Sequence, residues 1–87
     1  MNPDDLDLVR EELEARLQAL TGLADRDAFA RELHSLKGIA QVYGLSGFAE
    51  AAHLLEDRLA EGVSPLSLMP HLAALGRELD MVTAAAA

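Results

Sequence analysis

The 87-residue sequence contains no cysteine and no tryptophan, and aromatic residues make up only 3% of it. Without cysteine, the chain has no disulfide, no thiol chemistry and no zinc–thiolate site. No apolar run approaches the ~18 residues that a membrane-spanning helix needs. Seven basic residues stand against 15 carboxylates, for a formal net charge of −8. This charge argues against nucleic acid and anionic membranes as ligands, because both attract a basic face.

Alanine and leucine dominate the hydrophobic residues, which make up 51% of the chain and favour helices over strands. The length suits one domain with a thin core. We expect this domain to cover residues 1–83 and the alanine tail, residues 84–87, to fray. The acidic N-terminal segment lacks the apolar core of a signal peptide, so a cytoplasmic location is expected.

Apolar residues spaced three and four apart predict four amphipathic helices. They should cover about residues 4–20, 25–43 and 45–61, with the fourth beginning between Ser64 and Ser67. Because the connections are short, neighbouring helices should be antiparallel, which predicts an all-α, up-down-up-down four-helix bundle. The residues predicted to face its core are Leu6, Val9, Leu13, Leu17, Leu20, Phe29, Leu33, Leu36, Ala40, Tyr43, Phe48, Ala51, Ala52, Leu55, Leu59, Leu68, Leu72, Leu75, Leu79 and Val82.

Several residues suit the helix ends. Asp25 fits as N-cap of the second helix, and Ser46 is one possible cap of the third. If Ser67 caps the fourth helix, Pro70 falls in its first turn. If Ser64 is the cap, Pro65 falls there and Pro70 should kink the helix.

The second helix carries a polar stripe opposite its core face, formed by His34, Lys37, Gly38 and Gln41. His34 should therefore point into solvent with a cation beside it, which suits a histidine that meets phosphate. A mid-helix glycine costs roughly 1 kcal/mol relative to alanine. Gly38 either keeps one approach to the imidazole open or allows another helix to pack closely.

His53 and Glu56 lie at the edge of the third helix's apolar stripe. A carboxylate at position 56 can reach across the groove to His34, fix the ring tautomer and leave the second ring nitrogen free. From spacing alone, a solvated rim carboxylate at position 56 and an ordinary rim histidine at position 53 are favoured over functional roles.

These residues resemble the histidine phosphotransfer (HPt) domain of two-component phosphorelays. That family has a histidine followed by Leu or Ile at +2, Lys at +3, Gly at +4 and a second Gly at +10. Here these are His34, Leu36, Lys37, Gly38 and Gly44. The matching region covers about residues 29–60.

The segment "AAHLLED", residues 51–57, extends the resemblance to the phospho-accepting domain of chemotaxis histidine kinases. In that subfamily a histidine at +19 and a glutamate at +22 follow the phosphorylated histidine, and here these are His53 and Glu56. The glutamate of that subfamily hydrogen-bonds the reactive histidine. Ile39 departs from the family, which usually has a small residue there, so we expect altered packing or a partner contact at this position.

The resemblance implies that His34 accepts a phosphoryl group on Nε2 and that Glu56 orients it. Lys37 and Gln41 would contact the phosphoryl oxygens. The implied partners are a histidine kinase and response-regulator receiver domains. This monomeric chain would have no kinase site and bind no cofactor of its own, since Mg²⁺ is carried by the receiver. The exposed side of the first two helices should be the docking surface, with Leu8, Ala30 and Ile39 as candidates.

Three alternatives remain open at this point. The first is an interaction module of HPt-like fold whose histidine is never phosphorylated. The second is a metal-binding bundle that uses His34, His53 and His71. The third is a phospho-accepting domain excised from a chemotaxis kinase, although that domain usually continues into a fifth helix.

Overall fold

The structure is a computed structural model that describes the backbone of residues 3–86 and the side chains of residues 5–81. It contains four helices, α1 (Pro3–Thr21), α2 (Arg26–Val42), α3 (Ser46–Ala60) and α4 (Pro65–Ala86), and the described part of the chain contains no strand. The four predicted helices are confirmed. Within the described residues, no helix is both long and apolar enough to cross a bilayer.

Ion pairs between helices show that neighbours are antiparallel. Arg16, in the last third of α1, reaches Glu32 in the first half of α2 at 3.0 Å. Arg10, in the first half of α1, reaches Asp80 late in α4 at 2.7 Å. Each helix packs on the next, and α1 also packs on α4. The predicted up-down-up-down bundle is therefore confirmed.

The core runs along the bundle axis and consists mainly of leucine, with Phe29 and Phe48 as its largest fully buried side chains. Two predicted core residues differ from expectation. Tyr43 is 42% exposed, because it is the C-cap of α2 and its backbone (φ −94°, ψ 9°) leaves the helical path. In α3 the buried alanines are Ala49 and Ala52, whereas Ala51 is only partly buried. The side chain of Val82 lies outside the described residues.

The ends of α2 follow the sequence signals. Asp25 is the N-cap, and its carboxylate accepts a hydrogen bond from the backbone N–H of Ala28 at 2.9 Å. Gly44 follows α2 with φ +72°, a left-handed conformation that favours glycine. At the start of α3, however, Leu45 is the N-cap, so Ser46 is the first helical residue and not a cap.

Ser64 caps α4, because its hydroxyl accepts a hydrogen bond from the backbone N–H of Ser67 at 3.2 Å. Pro65 is therefore the first residue of α4, and Pro70 lies inside it. The expected kink at Pro70 stays a prediction. The backbone is helical as far as Ala86, and Ala87 lies outside the described residues, so fraying of the tail and the domain boundary at residue 83 also stay predictions.

Candidate functional site

Arg26 joins the two helices that carry the site. Its guanidinium, in the first turn of α2, donates hydrogen bonds to the carbonyl oxygens of Leu59 (2.5 Å), Gly62 (3.1 Å) and Val63 (3.0 Å). Carbonyls at a helix C-terminus lack intrahelical partners, and a cation there also suits the helix dipole. Arg26 therefore fixes the end of α3 against the beginning of α2.

His34 lies on the solvent side of α2, as its helical position predicts. The neighbouring Leu33 and Leu36 are fully buried, which orients the helix and leaves the His34 side chain 72% exposed. Its Nδ1 lies 3.2 Å from Oε2 of Glu56 on α3. Because the carboxylate of Glu56 accepts the Nδ1 proton, Nε2 carries the ring's lone pair.

Glu56 contacts a second residue through its other oxygen. Nζ of Lys37 lies 2.7 Å from Oε1, and the Lys37 side chain is only 15% exposed. Burial by itself would raise the pKa of Glu56. Hydrogen bonds from Lys37 and His34, together with their charges, outweigh it and hold the pKa below its ordinary value of 4.5. Glu56 is thus a carboxylate at neutral pH.

The sequence predicts the positive charge of Lys37 beside the imidazole, and in the structure this lysine also has a partner of its own. Its ammonium group is turned toward Glu56, because the close packing of α3 offers a carboxylate within reach. Gln41 is exposed and borders, with Lys37 and His53, a groove of about 480 Å³ between α2 and α3. Both side chains therefore border the site, and the ammonium group of Lys37 is paired with Glu56.

Gly38 is surrounded by open space. A Cβ built on it would meet no atom within 4 Å, so the alternative of a closely packed neighbouring helix is wrong. Gly38 instead lines a groove of about 500 Å³ that also includes Ser35 and Ile39. Ile39 is partly buried and packs against the core.

The other two histidines lie apart from this site. Nε2 of His53 lies 3.6 Å from Oδ2 of Asp57, one turn further along α3. His71 borders a different groove, between α3 and α4. Among the described residues, no three potential metal-ligating side chains come together, so the metal-binding alternative gains no support.

An apolar patch, which we call the α1/α2 patch, lies next to the site and consists of the exposed Leu8, Val42 and Tyr43 and the partly buried Ile39. Val42 is 80% exposed, and Tyr43 lines grooves with Leu8 on one side and with Gly38 and Ile39 on the other. Sequence reasoning missed Val42 and Tyr43. The sequence signal that could have revealed them is their position directly before Gly44, because side chains at the end of a helix often point into solvent. Ala30, the third predicted docking residue, is partly buried against the core.

The geometry provides an accessible nucleophile. Nε2 of His34 has no hydrogen-bond partner among the described side chains, whereas Nδ1 is held by a carboxylate. This is the arrangement in which one group orients a base and leaves its lone pair directed at an electrophile.

Comparison with known proteins agrees with this geometry. The family model described as "Hpt domain" matches residues 4–85, nearly the whole chain. Searches of curated proteins and of solved structures returned no match. The chain thus belongs to the Hpt domain family, whose members transfer phosphoryl groups through a histidine in phosphorelays and interact with kinases and receiver domains.

Proposed function

We propose that His34 is the phosphorylated residue, and that it accepts its phosphoryl group from a kinase or a receiver aspartate and passes it to a response-regulator aspartate. The observation that carries this assignment is the contact of 3.2 Å between Nδ1 of the exposed His34 and the carboxylate of Glu56. No other histidine of the described residues combines an exposed ring with a carboxylate from a neighbouring helix.

In the transfer step, the Nε2 lone pair attacks the phosphorus of the aspartyl phosphate. An N–P bond forms, the bond between phosphorus and the aspartyl oxygen breaks, and the aspartate leaves as a carboxylate. The ring keeps its Nδ1 proton and becomes cationic, and Glu56 stabilises that charge through the hydrogen bond it already accepts. The receiver supplies Mg²⁺ and most of the transition-state stabilisation, so this chain needs no cofactor of its own.

Lys37, Gln41 and Gly38 have supporting roles in this proposal. Before transfer, Lys37 keeps Glu56 ionised and oriented. During transfer, the negative charge of the incoming phosphoryl group can draw the Lys37 ammonium group away from Oε1 of Glu56. Gln41, at the groove's border, contacts phosphoryl oxygens. Gly38 leaves room for the partner's active site, since a side chain there would stand one turn from the imidazole.

We assign receiver docking to the α1/α2 patch, because it is apolar, exposed and continuous with the groove at Gly38. Val42→Glu should slow transfer from a phosphorylated receiver by roughly tenfold through a weaker complex, since burying a charge in an apolar contact is unfavourable. Leu66→Glu is the matched control, because Leu66 is equally exposed, at 79%, but lies at the start of α4. Equal transfer rates of the two variants would contradict this docking surface.

The phosphorylated residue can be tested with radiolabelled phosphoryl donors. Wild-type protein, mixed with the phosphorylated receivers and kinases of its own organism, should take up label that is labile in acid and stable in alkali. His34→Gln should take up none. Label on His34→Gln would contradict the site, and absence of label on the wild type would favour an interaction module without phosphotransfer.

We further propose that the protein acts in the cytoplasm as a monomer. Sedimentation equilibrium at increasing concentration tests the second part, and a constant mass of 9.3 kDa is expected. Fractionation of cells that produce the protein tests the first.

A further inference from the structure

A second groove lies away from the His34 site, between α1 and α4, with a volume of about 710 Å³. All residues that line it belong to these two helices. Its floor is formed by small and apolar residues, among them Ala15, Leu72, Ala73 and Gly76, and Glu11, Glu14, Arg77 and Asp80 stand around it. A molecule bound there would contact neither α2 nor α3, so it would leave His34 and Glu56 accessible.

Gly76 has no role in packing the bundle. It lies in the middle of α4, where glycine costs roughly 1 kcal/mol relative to alanine. A Cβ built on it would meet nothing within 4 Å, whereas one built on Gly47 would lie 2.6 Å from Oε1 of Glu78. A side chain at position 47 would therefore make the Glu78 carboxylate move aside, whereas one at position 76 would displace nothing. A glycine that faces an open groove lets an external backbone come close, because no side chain stands between them.

The charge around the groove indicates what kind of molecule would bind. Three carboxylates line the groove, those of Glu11, Glu14 and Asp80, against the single arginine Arg77. Arg10 neutralises part of this charge by pairing with Glu14 and Asp80. Glu11 has no ion pair among the described side chains. A basic ligand is therefore favoured at this side of the bundle.

We propose that the α1/α4 groove binds an amphipathic helix of a partner protein, in addition to the phosphotransfer at His34. The small and apolar face of that helix would pack on Ala73 and Gly76, and its flanking lysines or arginines would meet Glu11 and Glu14. A helix suits a groove between two helices because its side-chain ridges fit between theirs. A second copy of this chain suits it less, since it would bring a second acidic surface to the same place.

A synthetic peptide of roughly 18 residues, long enough to form an isolated helix, is a suitable probe. It carries alanine and leucine on one face and lysines on both flanks, and a control peptide has glutamates in place of the lysines. In ¹⁵N-resolved NMR spectra of the full chain, the lysine peptide should shift the amide signals of residues that line the groove. The glutamate peptide should leave them unchanged.

Three variants locate the binding. Gly76→Leu fills the groove without disturbing the helix and should weaken binding of the lysine peptide by about tenfold or more. Ala74→Leu, exposed on the side of α4 that faces α3, should leave the affinity within roughly twofold. Glu11→Lys should weaken binding of the lysine peptide and strengthen that of the glutamate peptide.

The proposal is overturned if the lysine peptide shifts no signals, shifts those of α2 and α3 instead, or binds Gly76→Leu as well as the wild type. A dimer in sedimentation that Gly76→Leu dissociates would make a second copy the occupant and would also overturn it. These binding measurements need no phosphoryl group, so their outcome is independent of the role of His34.

Discussion

Nζ of Lys37 lies 2.7 Å from Oε1 of Glu56, an ion pair that joins α2 to α3. Oε2 of the same carboxylate lies 3.2 Å from Nδ1 of His34. Glu56 therefore connects the imidazole to the only lysine in the sequence. In the proposed function, Lys37 acts on His34 through Glu56, by keeping that carboxylate ionised and in place.

Replacing Glu56 by glutamine should slow phosphoryl transfer by roughly 10- to 100-fold, the equivalent of losing one hydrogen bond to a charged group. An amide oxygen accepts the Nδ1 proton less strongly and does not balance the charge of a phosphorylated ring. The transfer rate from a phosphorylated receiver measures this effect. Asp57→Asn is the matched control, because Asp57 is the next residue of α3 and pairs with His53. Equal rates for the two variants would contradict the orienting role of Glu56.

Replacing Lys37 by methionine should raise the pKa of Glu56, because burial of the carboxylate remains while its principal cation is lost. A ¹³C NMR titration of the Glu56 carboxyl carbon measures that pKa directly. Lys37→Arg restores the charge and should keep the pKa below its ordinary value. If the pKa in Lys37→Met stays as low as in the wild type, Lys37 does not act through Glu56.

Glu56 should also contribute a pH-dependent part of the stability. Its pKa in the folded state is lower than in the unfolded chain, so the unfolded state binds more protons as the pH falls. The contribution is fully present above the ordinary value of 4.5 and is lost as the pH falls through the lower folded-state pKa. Urea unfolding between neutral and acidic pH measures it, with Glu56→Gln as reference. A difference between the two proteins that grows on acidification would contradict this sign.

Gly38→Ala should stabilise the protein by up to about 1 kcal/mol, because alanine favours the helix and its methyl group meets open space. Gly76→Ala, in the same situation on α4, should stabilise to a similar extent. Thermal unfolding measures both variants.

The rate of phosphoryl transfer should distinguish position 38 from position 76. Gly38→Glu should stay folded but transfer phosphoryl groups slowly, because its side chain stands beside the imidazole and repels the incoming phosphoryl group. Gly76→Glu is the matched control and should transfer at the wild-type rate. Unchanged transfer by Gly38→Glu would contradict the role of Gly38 in access to His34.

Arg26→Met should lower the free energy of unfolding by about 1.5–3 kcal/mol, the range for hydrogen bonds to charged groups. The methionine side chain retains apolar contacts but removes the guanidinium donor from the carbonyl oxygens of Leu59, Gly62 and Val63, at and just after the end of α3. Urea denaturation measures the change. Arg58→Met, which removes an exposed arginine near the end of the same helix, should change stability by less than about 0.5 kcal/mol. Equal losses in both variants would show that Arg26 has no special role.

Much of the fold was predictable from sequence, because helix formation depends on local spacing. Apolar residues three and four apart determined four helices, and their short connections determined an antiparallel arrangement. The exposed position of His34 followed from the same periodicity. Tyr43 was predicted wrongly because the stripe was extended one residue beyond the helix, to a C-cap whose backbone turns the side chain outward.

The glycines show what the local sequence does not predict. Gly38, Gly47 and Gly76 all lie inside helices, and the helical pattern alone does not say which of them has space for a side chain. What a side chain would meet at each depends on the neighbouring helix: at position 47 it would displace the Glu78 carboxylate of α4, and at the other two a Cβ would meet no atom within 4 Å.

The sequence by itself determined the helices, the exposed histidine and the family pattern around it, because these depend on residue types at fixed spacings along one chain. Only the tertiary structure decided that Lys37 pairs with Glu56, which side chains form the α1/α2 patch, and that α1 and α4 leave a groove between them. These features depend on distances between residues far apart in sequence. Such distances are set by how the four helices pack, and in particular by contacts such as that of Arg26 with the end of α3.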